Sequence, residues 1–426
     1  MRFWLITVGE PLPELSGRAR MWRTGMLTEE LLQRGHEVTW WTSSVDHFNK
    51  RHFVTESARR QLPAGGELQF LHGRLYKKNI SVARLLNHLE IAREFRRLSA
   101  QHERPDLILS SYPTIELCDE AVDYGRRNSV PVLLDIRDLW PDEVAARLPR
   151  PVRAAAPWIL WPMYNRARRA IGAATGITAI SQTYLSWARQ MGGRREGAAD
   201  RWVPMGYRPL DTAAAAAQIA AKMARIGVDP ARRTIWFCGT FVGSIDLATA
   251  IQSARILAAD PSLQFVFTGS GEYDAVWRAQ ARDLPNVVFT GWLDGDEIAW
   301  LAGHSWLGLG AYKPGALMSL PNKLFEYMSA GLPVLSSLEG EARALVERNC
   351  IGAAYRAGDA ADLAQRIREL AADDALRATM AANALRIFQE RFTAAAVYRD
   401  FADHLERCAR RQGQPAGLDT LPGQVD

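Results

Sequence analysis

Lys323 and Glu326 are the residues whose types and spacing first suggest chemistry. They lie in the stretch Leu320 to Ser337, LPNKLFEYMSAGLPVLSS. A helix N-terminus presents unpaired N–H groups and a partial positive charge, so a lysine in its first turn suits an anionic phosphate. A carboxylate one turn later accepts hydrogen bonds from sugar hydroxyls, such as those of a ribose. An amphipathic helix with a solvated lysine and glutamate explains the same residues.

A helix followed by a strand must position this pair. Pro321 suits the first helical position, Gly331 suits the position just past the helix, and Pro333 prevents its continuation. At ~100° per residue the helix has a polar face for binding and an apolar face for packing. The polar face consists of Asn322, Lys323, Glu326 and Ala330, and the apolar face of Leu324, Phe325 and Met328.

The segment PNKLFEYMSAGLPVLSS resembles the donor-site signature of the family 4 glycosyltransferases. These enzymes have the GT-B fold and transfer a sugar from a nucleotide diphosphate with retention of configuration. Their motif contains two glutamates, of which the second holds the ribose and the first approaches the donor sugar. Glu326 matches the second glutamate, whereas Met318 stands at the first. The resemblance therefore assigns the ribose contact and leaves the contacts to the donor sugar open.

Length and composition are those of a two-domain protein. A chain of 426 residues with 48% hydrophobic residues can bury two cores. The four cysteines show no CxxC spacing, which argues against a disulfide framework and a structural zinc site. The N-terminal apolar run is too short for a signal peptide, and no run is long enough to span a bilayer. A cytoplasmic protein is expected.

The first half of the chain reads as alternating strands and helices. Phe3 to Val8 and His36 to Thr42 are predicted strands, and Met21 to Arg34 is the predicted helix between them. This order predicts a doubly wound parallel sheet with ligands at the carboxyl ends of its strands. The phrase LLQRGHEVTWWTS resembles the same place in the family, which implies an acceptor-side loop containing Gly17 and Arg18. A turn and an ordinary surface arginine explain these two residues equally well.

Another predicted strand, Val130 to Asp135, runs directly into the phrase IRDLWPD. Family members commonly carry His next to Asp here, and some bacterial surface-polysaccharide members have a similar RDLWP phrase. The resemblance implies that Arg137 neutralises the leaving phosphate. It also implies that Asp138 orients the acceptor hydroxyl or assists its deprotonation. An ordinary ion pair at a strand end is the alternative.

The charge of +5 is unevenly distributed, because residues 1–200 carry 29 Lys+Arg against 22 Asp+Glu. Val144 to Arg195 contains nine arginines and no acidic residue. Tryptophan and arginine beside an apolar patch suit the surface of an anionic bilayer. The predicted membrane contacts are Trp158, Trp161, Arg166, Arg168 and Arg169. A nucleic-acid surface is a rival without a supporting motif, and tryptophans packed in the core are another.

The second half repeats the alternation and is predicted to bind the donor. Family members often have Arg and Lys after the first strand of this half, whereas the phrase GTFVGSIDL here has no basic residue. Phosphate binding must then depend on Lys323, backbone N–H groups and Thr240. Two glycines of the phrase TGSG, Gly269 and Gly271, let the chain pass close to a flat base. The predicted donor-binding residues are Gly239, Thr240, Gly269, Gly271, Leu320, Pro321, Asn322, Lys323 and Glu326.

These expectations define an α/β protein of the GT-B fold, with two Rossmann-like, doubly wound parallel-sheet domains facing a cleft. The predicted divisions are an acceptor-side domain at 1–210, a nucleotide-sugar domain at 211–392, a crossover helix at 393–411 that packs on the first domain, and a disordered tail at 412–426. Asp211 is the predicted cap of the helix that follows the first boundary.

The resemblance implies a retaining transferase. We expect it to need no metal or other cofactor, because Lys323, the helix start at Pro321 and Arg137 can balance the leaving charge and the sequence shows no ligand cluster for Mg²⁺ or Mn²⁺. Its donor is a UDP-sugar, with a GDP-sugar as the alternative, and its acceptor is a lipid-linked or polysaccharide glycan of a bacterial surface. O-antigen, capsule and exopolysaccharide fit equally. Such an enzyme acts at the inner face of the cytoplasmic membrane and does not bind nucleic acid. The sequence does not determine the oligomeric state.

Four other readings compete. A GT-A transferase would need a metal-binding Asp-x-Asp, and helix capping explains the only such triplet, Asp294 to Asp296. A dehydrogenase would need GxGxxG after the first strand, and Gly9 to Gly17 lacks that spacing. A GT-B epimerase shares the architecture but has a less similar signature. An inactive sugar-nucleotide-binding scaffold fits Met318 and the missing basic pair.

Overall fold

The computed structural model describes residues 1–12, 21–78, 81–209 and 216–411. They form two compact units: Met1–Val203 with the last helix from Tyr398 onward, and Pro204–Val397. The predicted boundary at residue 210, the Asp211 cap and the tail at 412–426 lie outside the described residues, as do Gly17 and Arg18. Tyr207, which was predicted to be in the first domain, belongs to the second unit.

The first unit is built around one predominantly parallel sheet. Its described strands run in the order β10-β9-β8-β7-β1-β2-β6-β5, and only β5 is antiparallel to its neighbour. A separate two-stranded ribbon pairs β3 with β4. The strands are β1 Arg2–Ile6, β2 Glu37–Ser43, β3 Val45–Asp46, β4 Arg51–His52, β5 Arg59–Gln61, β6 Glu67–Leu71, β7 Leu107–Tyr112, β8 Val132–Ile136, β9 Gly176–Ala179 and β10 Arg201–Trp202.

Helices cover the faces of this sheet, so its central strands are apolar almost throughout. Phe3, Trp4, Leu5 and Ile6 of β1 are all buried, as expected for a parallel strand covered on both faces. The helices of this unit are α1 Arg23–Gln33, α2 Val82–Ser99, α3 Ile115–Asn128, α4 Asp142–Ala146, α5 Arg150–Arg153, α6 Ala156–Ile159, α7 Trp161–Ala173 and α8 Gln182–Gly192.

The second unit repeats this plan with a smaller sheet. Its described strands are all parallel, in the order β13-β12-β11-β14-β15-β16. They are β11 Arg233–Cys238, β12 Leu263–Thr268, β13 Val287–Gly291, β14 Leu307–Gly310, β15 Val334–Ser336 and β16 Gly352–Ala354. The helices are α9 Ala216–Arg225, α10 Leu247–Ile256, α11 Asp274–Gln280, α12 Gly295–Gly303, α13 Asn322–Ser329, α14 Glu341–Arg348, α15 Ala360–Ala372 and α16 Asp374–Arg391.

The last described helix, α17 Ala394–Arg411, returns to the first unit from Tyr398 onward. Arg34 donates hydrogen bonds to Asp403 (2.5 Å) and Glu406 (2.9 Å) on this helix. Arg201 bonds Asp400 at 2.6 Å. Both units thus have the predicted Rossmann-like form, in which loops at the carboxyl ends of parallel strands provide binding sites.

Candidate functional sites

Helix α13 begins and ends close to the predicted positions. Pro321 is the residue before the helix (φ −74°), one position earlier than predicted. Gly331 follows the C-cap with φ +64°. Glycine adopts this left-handed conformation readily because it has no Cβ. Gly331 N–H bonds the carbonyl of Met328 at 3.0 Å, and Leu332 N–H bonds that of Tyr327 at 2.9 Å. This double closure is a Schellman motif, and it sets where the chain turns into β15.

Lys323, in the first turn of α13, lies half-buried against the carboxyl end of β11. Its Nζ is 3.9 Å from the ring centroid of Phe237 and 4.9 Å from that of Tyr312. Within the described residues no carboxylate forms an ion pair with it. Burial lowers the pKa of Lys323 to about 7, and the nearby Cys238 and Glu326 only partly oppose this shift. A cation held by aromatic rings and not neutralised is available to an anionic ligand.

Glu326 was predicted to lie on a solvent-exposed face, but the structure buries it. Its residue is only 8% exposed, and its Oε1 accepts a hydrogen bond from the hydroxyl of Tyr207. Part of the predicted polar face therefore packs against the protein. The residue that covers it, Tyr207, is far away in the sequence, so the helical pattern could not reveal this contact. Tyr207 is itself fixed: its N–H bonds the carbonyl of Phe392, and its carbonyl accepts from Ala394 N–H, both at 2.9 Å.

The other predicted residues of this helix end divide between surface and core. Asn322 is exposed, whereas Leu320 and Pro321 are buried. Met318, at the position of the first motif glutamate, is an exposed side chain. The neighbouring Ser319 is buried and donates to Glu341 at 3.0 Å. The segment before α13 thus exposes an apolar side chain where a family member would offer a carboxylate.

The predicted glycines owe their identity to contacts between loops. A Cβ on Gly269 would lie 2.0 Å from the carbonyl oxygen of Gly239, and one on Gly271 would lie 2.6 Å from that of Phe241. Gly269 and Gly239 also have positive φ values, +129° and +150°. Close packing of the loops after β11 and β12 therefore explains these glycines without a ligand. Thr240 lies exposed in the same loop, where its hydroxyl is accessible.

At the carboxyl edge of the first sheet, a buried ionic network surrounds Asp135 at the end of β8. Arg23 donates from Nε (2.8 Å) and Nη2 (2.9 Å) to the two oxygens of this carboxylate, and Thr178 donates at 2.7 Å. Both charged side chains are fully buried. Arg23 also lies 4.8 Å over the ring of Phe401 on α17. The arginines hold the pKa of Asp135 well below its usual range, although burial alone would raise it.

Arg137 belongs to this network. Its Nε donates to Asp135 at 2.7 Å, its Nη1 to Glu10, and its Nη2 to Thr24 at 3.0 Å. Burial opposes its charge, but the two carboxylates raise its pKa above the ordinary arginine value. These contacts favour a structural role for Arg137. Neutralisation of a leaving phosphate by this residue stays a prediction.

Asp138 has a different environment from its neighbour. Burial, together with the adjacent carboxyl group of Glu143, raises its pKa well above the usual range for aspartate. Arg84 and Arg147 oppose this shift only in part. A carboxyl group with a raised pKa after the carboxyl end of a parallel strand is a frequent feature of functional sites. Its role in orienting an acceptor hydroxyl stays a prediction.

A basic and aromatic cluster near Asp138 was not identified as a site from the sequence. His47 Nδ1 lies 2.7 Å from the hydroxyl of Tyr76, and Lys50 Nζ lies 5.1 Å from the centre of the Tyr76 ring. Arg84 lies 4.9 Å over the ring of Trp140. Burial lowers the pKa of His47 to about 3, and the nearby Arg84 and Lys50 add to the effect. The mixture of basic and aromatic residues between β2 and α2 was the available signal, but it has no periodicity.

The predicted membrane tryptophans lie on the surface. Trp158 on α6 is 82% exposed and Trp161 on α7 is 56% exposed, with the exposed Ile159 between them. The alternative that these tryptophans are core residues is therefore wrong. None of the described helices is long and apolar enough to cross a bilayer.

The arginines beside them are partly neutralised, which the sequence did not indicate. Arg166 lies 3.5 Å from Glu116 and 3.4 Å from Asp119, and Arg169 also pairs with Asp119. These acids come from α3, so a run without acids in sequence is not without acids in space. Arg168 is exposed and lies 5.8 Å over the ring of Tyr164. It is the predicted membrane-contact arginine least engaged by the protein.

The Asp-x-Asp triplet caps a helix, as predicted. Asp294 accepts from Glu297 N–H at 2.9 Å, and Glu297 accepts from Asp294 N–H at 3.1 Å, a capping box at the start of α12. Across the described residues no cluster of three or more His, Cys, Asp or Glu could hold a metal ion.

Two family models match the chain, one in each unit. The glycosyl transferase 4-like domain matches residues 21–199, and the model named glycosyl transferases group 1 matches residues 232–373. Each of the two units therefore matches a glycosyltransferase domain model. No curated protein matches the sequence.

Solved structures confirm the GT-B fold. HepE from Anabaena, solved in complex with UDP, aligns with a TM-score of 0.67 at 17% identity, covering 96% of this chain and 100% of HepE. Sucrose-phosphate synthase from Thermosynechococcus elongatus aligns at 0.69 and 17%, covering 96% and 99%. WaaG, a glycosyltransferase involved in lipopolysaccharide biosynthesis, aligns at 0.63 and 14%, covering 95% and 99%. The prediction of two Rossmann-like domains of the GT-B type is thus confirmed.

Proposed function

We propose that this glycosyltransferase moves a sugar from a nucleoside-diphosphate donor, preferably a UDP-sugar, to a lipid-linked or polysaccharide acceptor of a bacterial surface glycan, with retention of configuration. The observation that carries the proposal is the pairing of Lys323 and Glu326 on α13. An unneutralised ammonium group lies at a helix N-terminus, one turn from an oriented carboxylate. The first suits a diphosphate, and the second suits a ribose diol.

The preference for uracil rests on similar proteins. HepE has been solved with UDP and with UDP-glucose, and a trehalose-6-phosphate protein from E. coli has been solved with UDP-2-fluoro glucose. A surface-glycan acceptor agrees with the RDLWP phrase around Asp138 and with the similarity to WaaG. GDP-sugar remains the second donor class.

Each residue has a defined task in this proposal. Lys323 and the first backbone N–H groups of α13 stabilise the charge that develops on the departing diphosphate. Glu326 accepts hydrogen bonds from the ribose. Burial and the neighbouring Glu143 raise the pKa of Asp138 and so favour its neutral form. Asp138 therefore orients an acceptor hydroxyl through a hydrogen bond, and the departing phosphate accepts the hydroxyl proton.

We also propose that the exposed tryptophans hold the enzyme at the inner face of the cytoplasmic membrane. Trp158, Ile159 and Trp161 form an exposed apolar surface, and Arg168 supplies a basic group beside it. Indole rings favour the bilayer interface, and a basic residue near an anionic surface contributes ~1 kcal/mol. A lipid-linked acceptor would be encountered at this surface.

The test combines binding with turnover. A thermal-shift panel of UDP- and GDP-sugars identifies the donor, since a ligand at 100 times its dissociation constant adds about 2.7 kcal/mol to the free energy of unfolding. Donor turnover with a lipid-linked glycan acceptor and the anomeric configuration of the product are then measured. Binding without any turnover would support the inactive scaffold. Interconversion of the donor sugar without an acceptor would support the epimerase, and inversion would contradict the retaining mechanism.

A further inference from the structure

The second unit contains three lysines, and two of them lie at the carboxyl edge of its sheet. Lys222 on α9 forms an ion pair with Glu297. Lys323 and Lys313 form no ion pair within the described residues. Both are instead held over aromatic rings, Lys323 over Phe237 and Lys313 over Tyr273, where Nζ lies 5.0 Å from the centroid. Lys222 is thus neutralised by a carboxylate, whereas Lys313 and Lys323 are not.

Lys313 is joined to the loops after three strands. It follows β14, and its N–H donates to the carbonyl of Ser244 in the loop after β11, at 3.0 Å. The preceding Tyr312 pairs with Ile245 of that loop in an antiparallel bridge. The ring under the ammonium group, Tyr273, lies after β12, and its N–H bonds the carbonyl of Phe241 at 3.3 Å. The backbone of Lys313 is thus fixed where these loops meet.

Tyr312 contacts Lys323 through its ring and directly precedes Lys313 in the chain. Its ring lies 4.9 Å below the ammonium group of Lys323, and the next residue in the chain is Lys313. Tyr312 is buried, and Ser337 binds its backbone on both sides, at 2.8 Å to N–H and 2.9 Å to the carbonyl. Tyr312, fixed by Ser337, therefore contacts the ammonium group of Lys323 with its ring and fixes the backbone position of Lys313.

The loop after β11 supplies no positive charge for a bound diphosphate. Residues 239–247, GTFVGSIDL, contain an aspartate and no basic residue, and this Asp246 caps α10 by accepting from Thr249 N–H at 3.2 Å. A nucleotide-sugar diphosphate carries two negative charges, whereas Lys323 supplies one positive charge. Arg278 on the nearby α11 is bound to Asp274 at 2.9 Å. Lys313 is the cation that this loop brings to the edge without a carboxylate partner.

We propose that Lys313 is a diphosphate-binding residue, which acts with Lys323 in place of the basic residues missing from the loop after β11. The inference rests on the proposed function and adds to it a residue that the donor signature does not contain. The aromatic face of Tyr273 keeps the ammonium group beside this edge without a carboxylate to neutralise it. The exposed ammonium group of Lys313 can turn from the ring to the ligand, because the lysine stem is flexible.

Calorimetric titration of the full-length protein with UDP, GDP, UMP and uridine tests the inference. Lys313→Gln is expected to weaken binding of the preferred nucleoside diphosphate about tenfold, the loss expected for one charge-assisted hydrogen bond. It should weaken UMP binding less and leave uridine binding unchanged. Lys313→Arg, which retains the cation, should keep most of the affinity. Lys222→Gln is the matched control, because it removes a lysine of the same unit that is already neutralised.

The outcomes separate this inference from the proposed function. If Lys313→Gln binds the diphosphate as tightly as the parent while Lys323→Gln does not, Lys313 is an ordinary surface lysine and the proposed function stands. An equal loss for uridine and for the diphosphate would mean a structural defect and would also overturn the inference. If the parent binds none of the nucleotides or their sugars, both the inference and the proposed function are wrong.

Discussion

Glu326 is held by a hydroxyl group 119 positions away in the chain. A buried carboxylate requires hydrogen-bond donors, and a phenol fixed at its own backbone restricts the carboxylate to one orientation. Tyr207 is therefore a positioning residue in the proposed site: it acts on the ribose contact through Glu326. No spacing rule connects these two residues, so sequence reasoning could find Glu326 and could not find its partner.

Tyr207→Phe removes this hydroxyl and little else. We expect the KM for the donor to rise about tenfold with a smaller change in kcat, because a charge-assisted hydrogen bond contributes about 1.5–3 kcal/mol. Glu326→Ala should weaken nucleotide binding ten- to a hundredfold. Steady-state kinetics and nucleotide titration measure both effects, and thermal unfolding identifies a loss of fold. Unchanged donor binding in both variants would contradict the ribose assignment.

The pKa of Lys323 predicts how donor binding depends on pH. Burial lowers its pKa to about 7, so the charge that attracts phosphate is present below that pH and is lost above it. A bound diphosphate raises the pKa of the ammonium group, and binding therefore takes up a proton as the pH rises. We expect the dissociation constant of a UDP-sugar to increase by up to about tenfold per pH unit above about pH 7.

A nucleotide-sugar is the suitable probe, because its diphosphate lacks the terminal phosphate ionisation near pH 6. Titrations from about pH 6 to about pH 9 in buffers of different ionisation enthalpy measure the proton uptake directly. Lys323→Gln should bind more weakly and with a flat profile. The same slope in this variant would show that another group is responsible.

Among the elements, α13 was predictable to within a residue because proline and glycine restrict the backbone at its two ends. The faces of the helix were less predictable. Periodicity assigned Glu326 to the binding face, but the face that packs depends on Tyr207, which a helical wheel does not contain. Strand β6, Glu67–Leu71, was not predicted individually, because the sequence between β2 and α2 has no clear periodicity.

The exposed tryptophans of helices α6 and α7 lead to a prediction about membrane binding. Binding to vesicles should require anionic lipid, weaken with salt, and fall at least about tenfold in Trp158→Ala/Trp161→Ala, because each buried aromatic ring contributes about 1.5–3 kcal/mol. Arg168→Gln should weaken it further, and Arg169→Gln less, because Arg169 is already paired. Vesicle sedimentation measures all three.

Trp292→Ala is the matched control, since Trp292 is 67% exposed in the second unit. It should leave vesicle binding unchanged. A protein that ignores anionic vesicles at low salt, yet glycosylates a soluble sugar efficiently, would rule out the membrane proposal and leave α6 and α7 as an ordinary surface.

At the scale of the whole chain, the two Rossmann-like units follow from patterns that are local in sequence: buried strands of four to seven residues, helices, and glycines between them. The partners of charged groups are not local. Arg137 forms an ion pair with Glu10, in the segment after β1, and Arg166 forms ion pairs with acids of α3. These contacts depend on the completed sheet, so the sequence could not identify the acidic partners of either arginine.

Metal independence is a property of the whole enzyme and is still a prediction. We expect turnover to survive chelation, because Lys323, the α13 N-terminus and, as inferred above, Lys313 supply positive charge for the departing diphosphate. Activity assays with EDTA, followed by addition of Mg²⁺ or Mn²⁺, measure this. Complete loss with EDTA and recovery with Mn²⁺ would show that the leaving group needs a metal ion.

The anchoring of Tyr207 also determines how this enzyme can be recombined. The contacts described for Lys313, Lys323, Glu326 and Tyr207 all lie within Pro204–Val397. A chimera that replaces the first unit by that of another glycosyltransferase should keep its donor preference if the junctions are placed before Pro204 and after Ala394. A junction at residue 210, which sequence patterns alone suggest, would exchange Tyr207 and leave the ribose carboxylate without its phenol.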